Sequence, residues 1–112
     1  MRYRGVVQKG RKQGTALGFP TINIPLLDTS LSGIFAATVF FADKEYPAAV
    51  YVDPSRRVLE AHLLDFSDDL YEKEVDIELL EKIRDDKKFD NGAELKQAIA
   101  EDVAKVREYF KN

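Results

Sequence analysis

The apolar residues of this chain change their spacing once, about three quarters of the way along the sequence. Before that point they occur in short runs rich in β-branched and aromatic residues, which is typical of strands. After it, apolar residues recur at intervals of four, four, three and four, which places them on one face of a helix. They are Leu95, Ile99, Val103, Val106 and Phe110. Several short strands followed by one helix predict a β-barrel or sandwich with a C-terminal helix, and not a βαβ nucleotide-binding fold.

About six strands are predicted, most of them bounded by turn residues. Their ranges are Tyr3 to Lys9, Thr21 to Ile24, Ile34 to Phe41, Glu45 to Val52, Val58 to Leu64 and Val75 to Leu79. The segment Ala42-Asp43-Lys44 reads as a hairpin turn, so the third and fourth strands are expected to be antiparallel neighbours.

The helix is predicted from Ala93 to Tyr109. Asn91 is a good N-cap, and Glu94 follows it at the spacing of a capping box. The charge run from Glu81 to Asp90 is interpreted as a solvated connection in which only Arg84 and Phe89 face the site or the core.

Composition narrows the class of protein. The chain has 112 residues, no cysteine, and 45% hydrophobic and 33% charged residues, which indicates one globular domain over residues 1–112. Thiol chemistry is excluded, and a single histidine, His62, cannot build a histidine-rich metal site. No apolar run approaches the ~20 residues of a membrane span, so we expect a cytoplasmic protein that contacts no membrane, and we expect a monomer.

Charge is distributed unevenly along the chain. Residues 1–27 hold five basic side chains and no acid, a net charge of +5, so the total of −3 leaves −8 for the remaining residues. The same segment contains four of the six glycines. Gly10, Gly14 and Gly18 match neither a P-loop nor a dinucleotide fingerprint. Glycines among cations could still cradle an anion, although a mobile hairpin loop with solvated charges is the commoner explanation, since glycine-rich turns are frequent.

Candidate chemistry lies in three residues that follow the glycine-rich loop, which are Thr21, Asn23 and Glu60. Thr21 and Asn23 lie two apart, so on a strand their oxygens share a face and would suit a magnesium ion that keeps water and phosphate ligands. The alternative is that they are turn formers. Glu60 alternates with apolar neighbours, which by itself indicates a solvated strand residue. His62 shares its face, and we interpret it as a hydrogen-bonded orienting residue and not as a catalyst.

Blocks of sequence spread over the chain resemble the riboflavin kinase family. The first is Gly5-x-Val7-x-x-Gly10-x-x-x-Gly14-x-x-Leu17-Gly18-Phe19-Pro20-Thr21-x-Asn23. The later ones are Gly33-Ile34-Phe35-Ala36, Leu59-Glu60-Ala61-His62-Leu63-Leu64-Asp65-Phe66, Asp69-Leu70-Tyr71 and Ile83-Arg84-Asp85-x-Lys87-Lys88-Phe89-Asp90. They occur in the family's order. They are similar to the kinase half of bacterial bifunctional riboflavin kinase/FMN adenylyltransferases, without the adenylyltransferase half.

The resemblance implies a fold and an activity. The fold is mainly β, a six-stranded antiparallel Greek-key β-barrel with a C-terminal α-helix. The activity is transfer of the ATP γ-phosphate to the 5′-hydroxyl of riboflavin, which gives FMN and ADP, with Mg²⁺ required. The implied partners are small molecules, riboflavin and ATP, and no nucleic acid.

The resemblance also implies roles for individual residues. Thr21 and Asn23 resemble the pair that holds the magnesium and the nucleotide phosphates, and Glu60 matches the general base. Arg84 resembles a residue at the flavin end. The remaining nucleotide-binding positions are Gly10, Gly14, Gly18 and Pro20.

The chain departs from the family pattern at two places. The connection between Val50 and Leu59 is shorter and lacks a Gly-x-x-Pro-Thr element. Glu72 stands where a glycine is expected, so the local turn is predicted to differ. These departures keep open a non-catalytic flavin- or nucleotide-binding module of the same fold. A nucleic-acid-binding barrel is the weaker alternative, because most aromatics lie in strand runs or on the helix face.

Overall fold

The computed structural model describes residues 1–9, 17–27, 30–66 and 68–111. Within these ranges the chain forms six strands and one helix. The strands are β1 (Arg2–Val6), β2 (Ile22–Pro25), β3 (Gly33–Phe41), β4 (Lys44–Asp53), β5 (Val58–Leu63) and β6 (Glu74–Arg84), and the helix is α1 (Gly92–Lys111). No helix in this part of the chain is long and apolar enough to cross a bilayer.

The strands form one antiparallel sheet in the order β1-β6-β3-β4-β5-β2. Just beyond β1, the amide of Gln8 donates a 2.7 Å hydrogen bond to the carbonyl of Asn23 in β2. This bond brings the two edges of the sheet together, which leaves few unpaired backbone groups. The result is a nearly closed barrel, and the expected six-stranded barrel with a C-terminal helix is confirmed.

Alternation along the strands places one set of apolar side chains inside the barrel. In β5, for example, Leu59, Ala61 and Leu63 point inward, whereas Glu60 and His62 point outward. The interior also holds Ile24, Val39, Val50, Val52, Val75 and Ile77, all with an exposed fraction of 1% or less. The alternation that made Glu60 look solvated is therefore real, and it places the residue on the outer face of the sheet.

Helix α1 packs on that outer face. Val103 and Val106 form a second apolar cluster with Ala36 and Leu64, so the predicted stripe does contact the sheet. The stripe ends there, because Phe110 is 37% exposed, and its predicted place on the buried face is wrong. The predicted N-cap is confirmed, since Oδ1 of Asn91 accepts a 2.9 Å hydrogen bond from the amide of Glu94.

Strand β6 is longer than the sequence predicts. Residues 81–84, assigned above to a solvated connection, continue the strand, so that assignment is wrong. The pairing of β3 with β6 shifts register twice, between Ile34 and Phe35 and again between Ala36 and Ala37. Each irregularity interrupts the in-out alternation, which explains why period-two analysis loses the strand after Leu79.

Two of the five cations in the basic segment are already paired. The side chain of Arg4 makes two hydrogen bonds to Asp76, at 2.9 and 3.3 Å, and Arg2 lies 3.8 Å from the same carboxylate. The hydrogen bond from Arg4 lowers the pKa of Asp76 from its ordinary value. Arg2 and Arg4 therefore link β1 to β6, and Asp76 offsets part of their positive charge.

The turn before β6 retains the conformation that a glycine would favour. Glu72 has a φ of 69°, in the left-handed region, and its amide donates a 3.0 Å hydrogen bond to the carbonyl of Val7. The prediction that this turn would differ is therefore wrong. The two backbone bonds of the turn, from Glu72 and from Lys73 to Leu70, hold it in place despite the cost of a side chain there.

Replacing Glu72 with glycine is expected to stabilise the protein. A left-handed residue with a Cβ costs about 1–2 kcal/mol, and the extra freedom of glycine in the unfolded chain cancels part of the gain, so we expect a net increase of roughly 0.5–1 kcal/mol. Urea unfolding measures it. Glu74→Gly, in extended β6, is the matched control and should lose stability. An E72G variant less stable than the parent would contradict the prediction.

Candidate active site

Three of the predicted site residues, Asn23, Glu60 and Arg84, lie in one row across the outer face of the sheet. Directly opposite residues in antiparallel strands place their side chains on the same face, about 5 Å apart. Strand pairing links one residue from each of five neighbouring strands in this way. In order they are Asn23 of β2, Glu60 of β5, Tyr51 of β4, Ile34 of β3 and Arg84 of β6. The fold thus brings together residues that are up to 61 positions apart in the sequence.

A cavity of about 700 Å³ covers most of this row. Its floor is the outer face of the sheet, and its opposite wall is the segment 85–91 together with the first turns of α1. Thr21, Glu60 and Arg84 line it, as do Tyr51 and Ile34. Because the helix covers only part of the outer face, its first turns make a cleft and not a buried interface. The volume lies in the range of small-molecule sites.

Glu60 is held by an arginine that the sequence analysis did not select. The NH1 group of Arg56 donates a 2.8 Å hydrogen bond to Oε1 of Glu60, and its NH2 group contacts the same oxygen. The Nε edge of the guanidinium is directed to Asp53, with Nε 3.2 Å from Oδ2. Arg56 lies in the short turn between β4 and β5, where a charged residue reads as ordinary surface. Only the hairpin pairing of the two strands shows that it lies beside Glu60.

Asn23, which does not line the cavity, carries a buried oxygen of the kind that a magnesium ion binds. The residue is 6% exposed, and its Oδ1 accepts no hydrogen bond from any residue in the described ranges. Leaving such an oxygen unpaired costs about 1–3 kcal/mol, which a ligand would offset. Amide and hydroxyl oxygens are hard ligands that suit Mg²⁺. Asn23 and the half-buried Thr21 therefore fit a magnesium ion that takes its remaining ligands from water and phosphate.

The segment that leads into β2 is fixed by His62. Its Nδ1 donates a 2.7 Å hydrogen bond to the carbonyl of Pro20, and its ring meets Phe19 edge-on with centroids 5.5 Å apart. The prediction that His62 is hydrogen-bonded is confirmed, and its orienting role stays a prediction. Gly18 has a φ of 92°, a conformation in which glycine avoids the strain of a Cβ. The two other predicted glycines, Gly10 and Gly14, lie outside the described residues.

Arg84 lines the cavity but is already engaged. Its Nε and NH2 groups donate to the two carboxylate oxygens of Asp102, at 2.8 and 2.9 Å, and NH1 donates to the carbonyl of Asp85. Asp102 is 4% exposed and lies on α1, so the pair joins β6 to the helix. Contact of Arg84 with a flavin stays a prediction, whereas its structural role is visible.

The segment 85–91 contributes more to the cavity than the sequence analysis expected. Asp86, Lys87 and Lys88 line it in addition to Phe89, so the prediction that only Arg84 and Phe89 face the site is wrong. The hydroxyl of Tyr51 donates a 3.0 Å hydrogen bond to Asp86, which ties this segment to β4. The pattern of alternating charges gave no sign of which side chains turn inward.

Fold and site together define a small β-barrel domain with a row of polar residues on its outer face, beside a cleft completed by a C-terminal helix. Comparison with known proteins agrees with this class. The family pattern described as "Flavokinase: Riboflavin kinase" matches residues 1–110. The chain belongs to the riboflavin kinase family.

The curated relatives that the chain matches are longer proteins. The bifunctional riboflavin kinase/FMN adenylyltransferase of Escherichia coli strain K12 is 35% identical over 115 residues, which cover 95% of this chain and 37% of the relative. The trifunctional protein RibF/MnmA of Mycoplasmoides gallisepticum is 33% identical over 117 residues, which cover 96% of this chain and 18% of the relative. The chain therefore spans less than two fifths of the length of these relatives.

A solved structure with the same fold comes from Streptococcus pneumoniae. It is titled a macrolide-efflux protein, and it superposes with a TM-score of 0.81 at 28% sequence identity. The match covers 95% of this chain and 38% of that one. The likeness again concerns the whole of this chain and a minor part of a longer protein.

Proposed function

We propose that this chain transfers the γ-phosphate of ATP to the 5′-hydroxyl of riboflavin. The order of the cross-strand row carries the proposal. Glu60 lies between Asn23 on one side and Arg84 on the other. A general base is needed at this place if the phosphate donor binds near Asn23 and the flavin binds near Arg84. Membership of the riboflavin kinase family supports the same assignment. We further propose that the chain acts as a cytoplasmic monomer.

The nucleotide end of the site is proposed at β2. Thr21 and Asn23 would hold a magnesium ion, which, when bound, neutralises negative charge on the ATP phosphates. Gly18 and Pro20 precede them, and the hydrogen bond from His62 to the carbonyl of Pro20 holds the backbone where the phosphates would approach. Lys9, whose Nζ lies 5.7 Å from the centroid of the Tyr71 ring, adds positive charge to the N-terminal segment, and this charge favours an anion.

The flavin end is proposed at the opposite side of the cleft. Ile34, Phe89, Leu95 and Ile99 supply apolar surface there, which suits a flat aromatic ring system. Arg84 lies at this end, 5.7 Å from the centroid of the Phe89 ring. Strands are spaced about 4.8 Å apart, so the three strand steps from Glu60 to Arg84 leave room for a chain that joins the ring to the reacting hydroxyl.

Glu60 is proposed to act as the general base. Its carboxylate takes the proton of the 5′-hydroxyl while that oxygen forms a bond to the γ-phosphorus. The bond from the γ-phosphorus to the bridging oxygen breaks, and its electron pair leaves with ADP. Phosphoryl transfer otherwise depends on positioning and charge neutralisation, and a glutamate at 16% side-chain exposure is sheltered but still reachable by substrate.

Turnover tests the proposal directly. The protein is incubated with riboflavin, ATP and Mg²⁺, and FMN is separated by chromatography. Formation of FMN above a buffer blank is the expected result. Quenching of riboflavin fluorescence without FMN, from folded protein, would identify a non-catalytic flavin-binding module. If neither quenching nor FMN is observed, both functions are excluded.

Replacing His62 with alanine is expected to weaken nucleotide binding. The substitution releases the carbonyl of Pro20, so the segment that carries Thr21 loses its anchor. We expect the KM for ATP to rise by about 3–10-fold, with a smaller change in kcat, on the order of one lost hydrogen bond. Steady-state kinetics at saturating riboflavin measure it. An unchanged KM would show that this bond does not position the nucleotide.

A further inference from the structure

We propose that Arg56, anchored by Asp53, is a positioning residue that orients Glu60 for proton transfer. The inference rests on the proposed kinase function and adds two residues to it. Neither belongs to the blocks of sequence quoted above for the resemblance, since both lie in the short connection between Val50 and Leu59.

The anchor is a buried carboxylate at the end of β4. Asp53 is 4% exposed, and its Oδ1 accepts hydrogen bonds from the hydroxyl of Ser55 at 2.8 Å and from the amide of Arg56 at 3.3 Å. Its Oδ2 lies 3.2 Å from Nε of Arg56. Both oxygens are therefore used within one tight turn, which fixes the base of the arginine side chain.

The guanidinium transmits this order to Glu60. It is planar and presents its donors in a rigid fork, so once Nε is held by Asp53 the direction of NH1 and NH2 is set. Both of these groups contact Oε1 of Glu60. An ionised carboxylate can accept about four hydrogen bonds. The two from Arg56 restrain its rotation while leaving it capacity to accept the proton of an alcohol.

Charge adds to the geometric effect. Asp53 and Glu60 are both mostly shielded from water, with side-chain exposures of 6% and 16%. Two carboxylates at the same end of a hairpin would repel each other without a cation between them. Arg56 supplies that cation, and it does so from a turn of four residues, 54–57. The short connection between β4 and β5 is thus an ordered turn beside Glu60, where the family pattern has a longer loop.

The test compares Arg56→Met with Arg57→Met. Both remove one arginine from the same turn, but Arg57 is exposed and does not line the cavity. For R56M we expect kcat to fall by about 10–100-fold, the size of effect that follows from a misplaced catalytic group, with KM for riboflavin and ATP changed by less than about 3-fold. R57M is expected to keep the parent kcat. Arg56→Lys should recover only part of the loss, because a lysine cannot bridge both carboxylates as a planar fork.

A double substitution separates positioning from a structural effect. If Arg56 acts through Glu60, then R56M introduced into the Glu60→Gln variant should lower kcat by no more than about 2-fold further. Losses that multiply would overturn the proposal, as would an R56M variant with the parent kcat or with a raised KM alone. Should R56M fail to fold, judged by circular dichroism, Asp53→Asn tests the same anchor and should lower kcat in the same way; a parent-like kcat there overturns the proposal.

Failure of this inference is distinguishable from failure of the proposed function. If the unchanged chain forms no FMN, the kinase assignment falls and the role of Arg56 falls with it. If the unchanged chain is active and R56M is equally active, only the role of Arg56 is overturned.

Discussion

Replacing Glu60 with glutamine is expected to reduce kcat by a factor on the order of 10² to 10⁴, the usual contribution of a general base. Glutamine keeps the size of the side chain and an oxygen that can accept from Arg56, so the hairpin and the cleft should be preserved. What is lost is the ability to take a proton. Riboflavin binding, followed by fluorescence quenching, is expected to stay within about 3-fold of the parent protein, because only the transition state uses the base.

The matched control for this substitution is Glu74→Gln. Glu74 is an exposed strand glutamate on β6 and does not line the cavity, so E74Q should keep the parent kcat. Equal losses of flavin binding and rate in E60Q would show that Glu60 is structural. A kcat for E60Q equal to that of the parent would remove Glu60 from the proton transfer altogether.

Replacing Asp102 with alanine is expected to lower the free energy of unfolding by roughly 3 kcal/mol, because removing one partner of a buried ion pair leaves the other charge uncompensated. Asp102 is 4% exposed, and both of its oxygens accept hydrogen bonds from Arg84. For a domain of this size such a loss corresponds to a fall in Tm of about 10–20 °C. Urea unfolding and thermal unfolding both measure it.

Glu101→Ala is the control for the Asp102 substitution. It removes the same charge from the same turn of α1, but Glu101 is exposed and accepts a hydrogen bond from Gln97, one turn earlier. We expect E101A to change stability by less than about 0.5 kcal/mol. A D102A variant as stable as E101A would show that the Arg84–Asp102 pair contributes little to holding the helix on the barrel.

Much of the architecture could be read from local patterns. The inward set of β5 and the stripe of α1 follow from periods of two and about four, and each period depends only on residues close in sequence. The N-cap at Asn91 is equally local, since its partner is three residues away. Prediction failed where tertiary contacts override the pattern. The prediction ended β6 at Leu79, although the strand continues to Arg84. Two register shifts break the alternation on which that prediction depended.

The prediction for the turn at Glu72 failed for a related reason. Its left-handed backbone is disfavoured for glutamate, and local preference therefore argued for a different turn. The structure keeps the turn because its amide bonds to Val7, 65 positions away in the chain. The long-range hydrogen bond offsets the cost of the left-handed conformation. The sequence shows the residue that incurs this cost, but it does not show the bond that offsets it.

The sequence by itself determined the class of fold and the residue types available for chemistry. Period, capping and the ordered blocks around Thr21, Asn23 and Glu60 depend on neighbours along the chain, and those are printed in the sequence. Only the tertiary structure decided which residues share the site. Strand pairing aligned Asn23, Glu60 and Arg84 in one row, and the hairpin between β4 and β5 brought Arg56 onto Glu60. The members of the row are neighbours through register and burial, because partners across a sheet meet through pairing of distant segments and not through proximity in the chain.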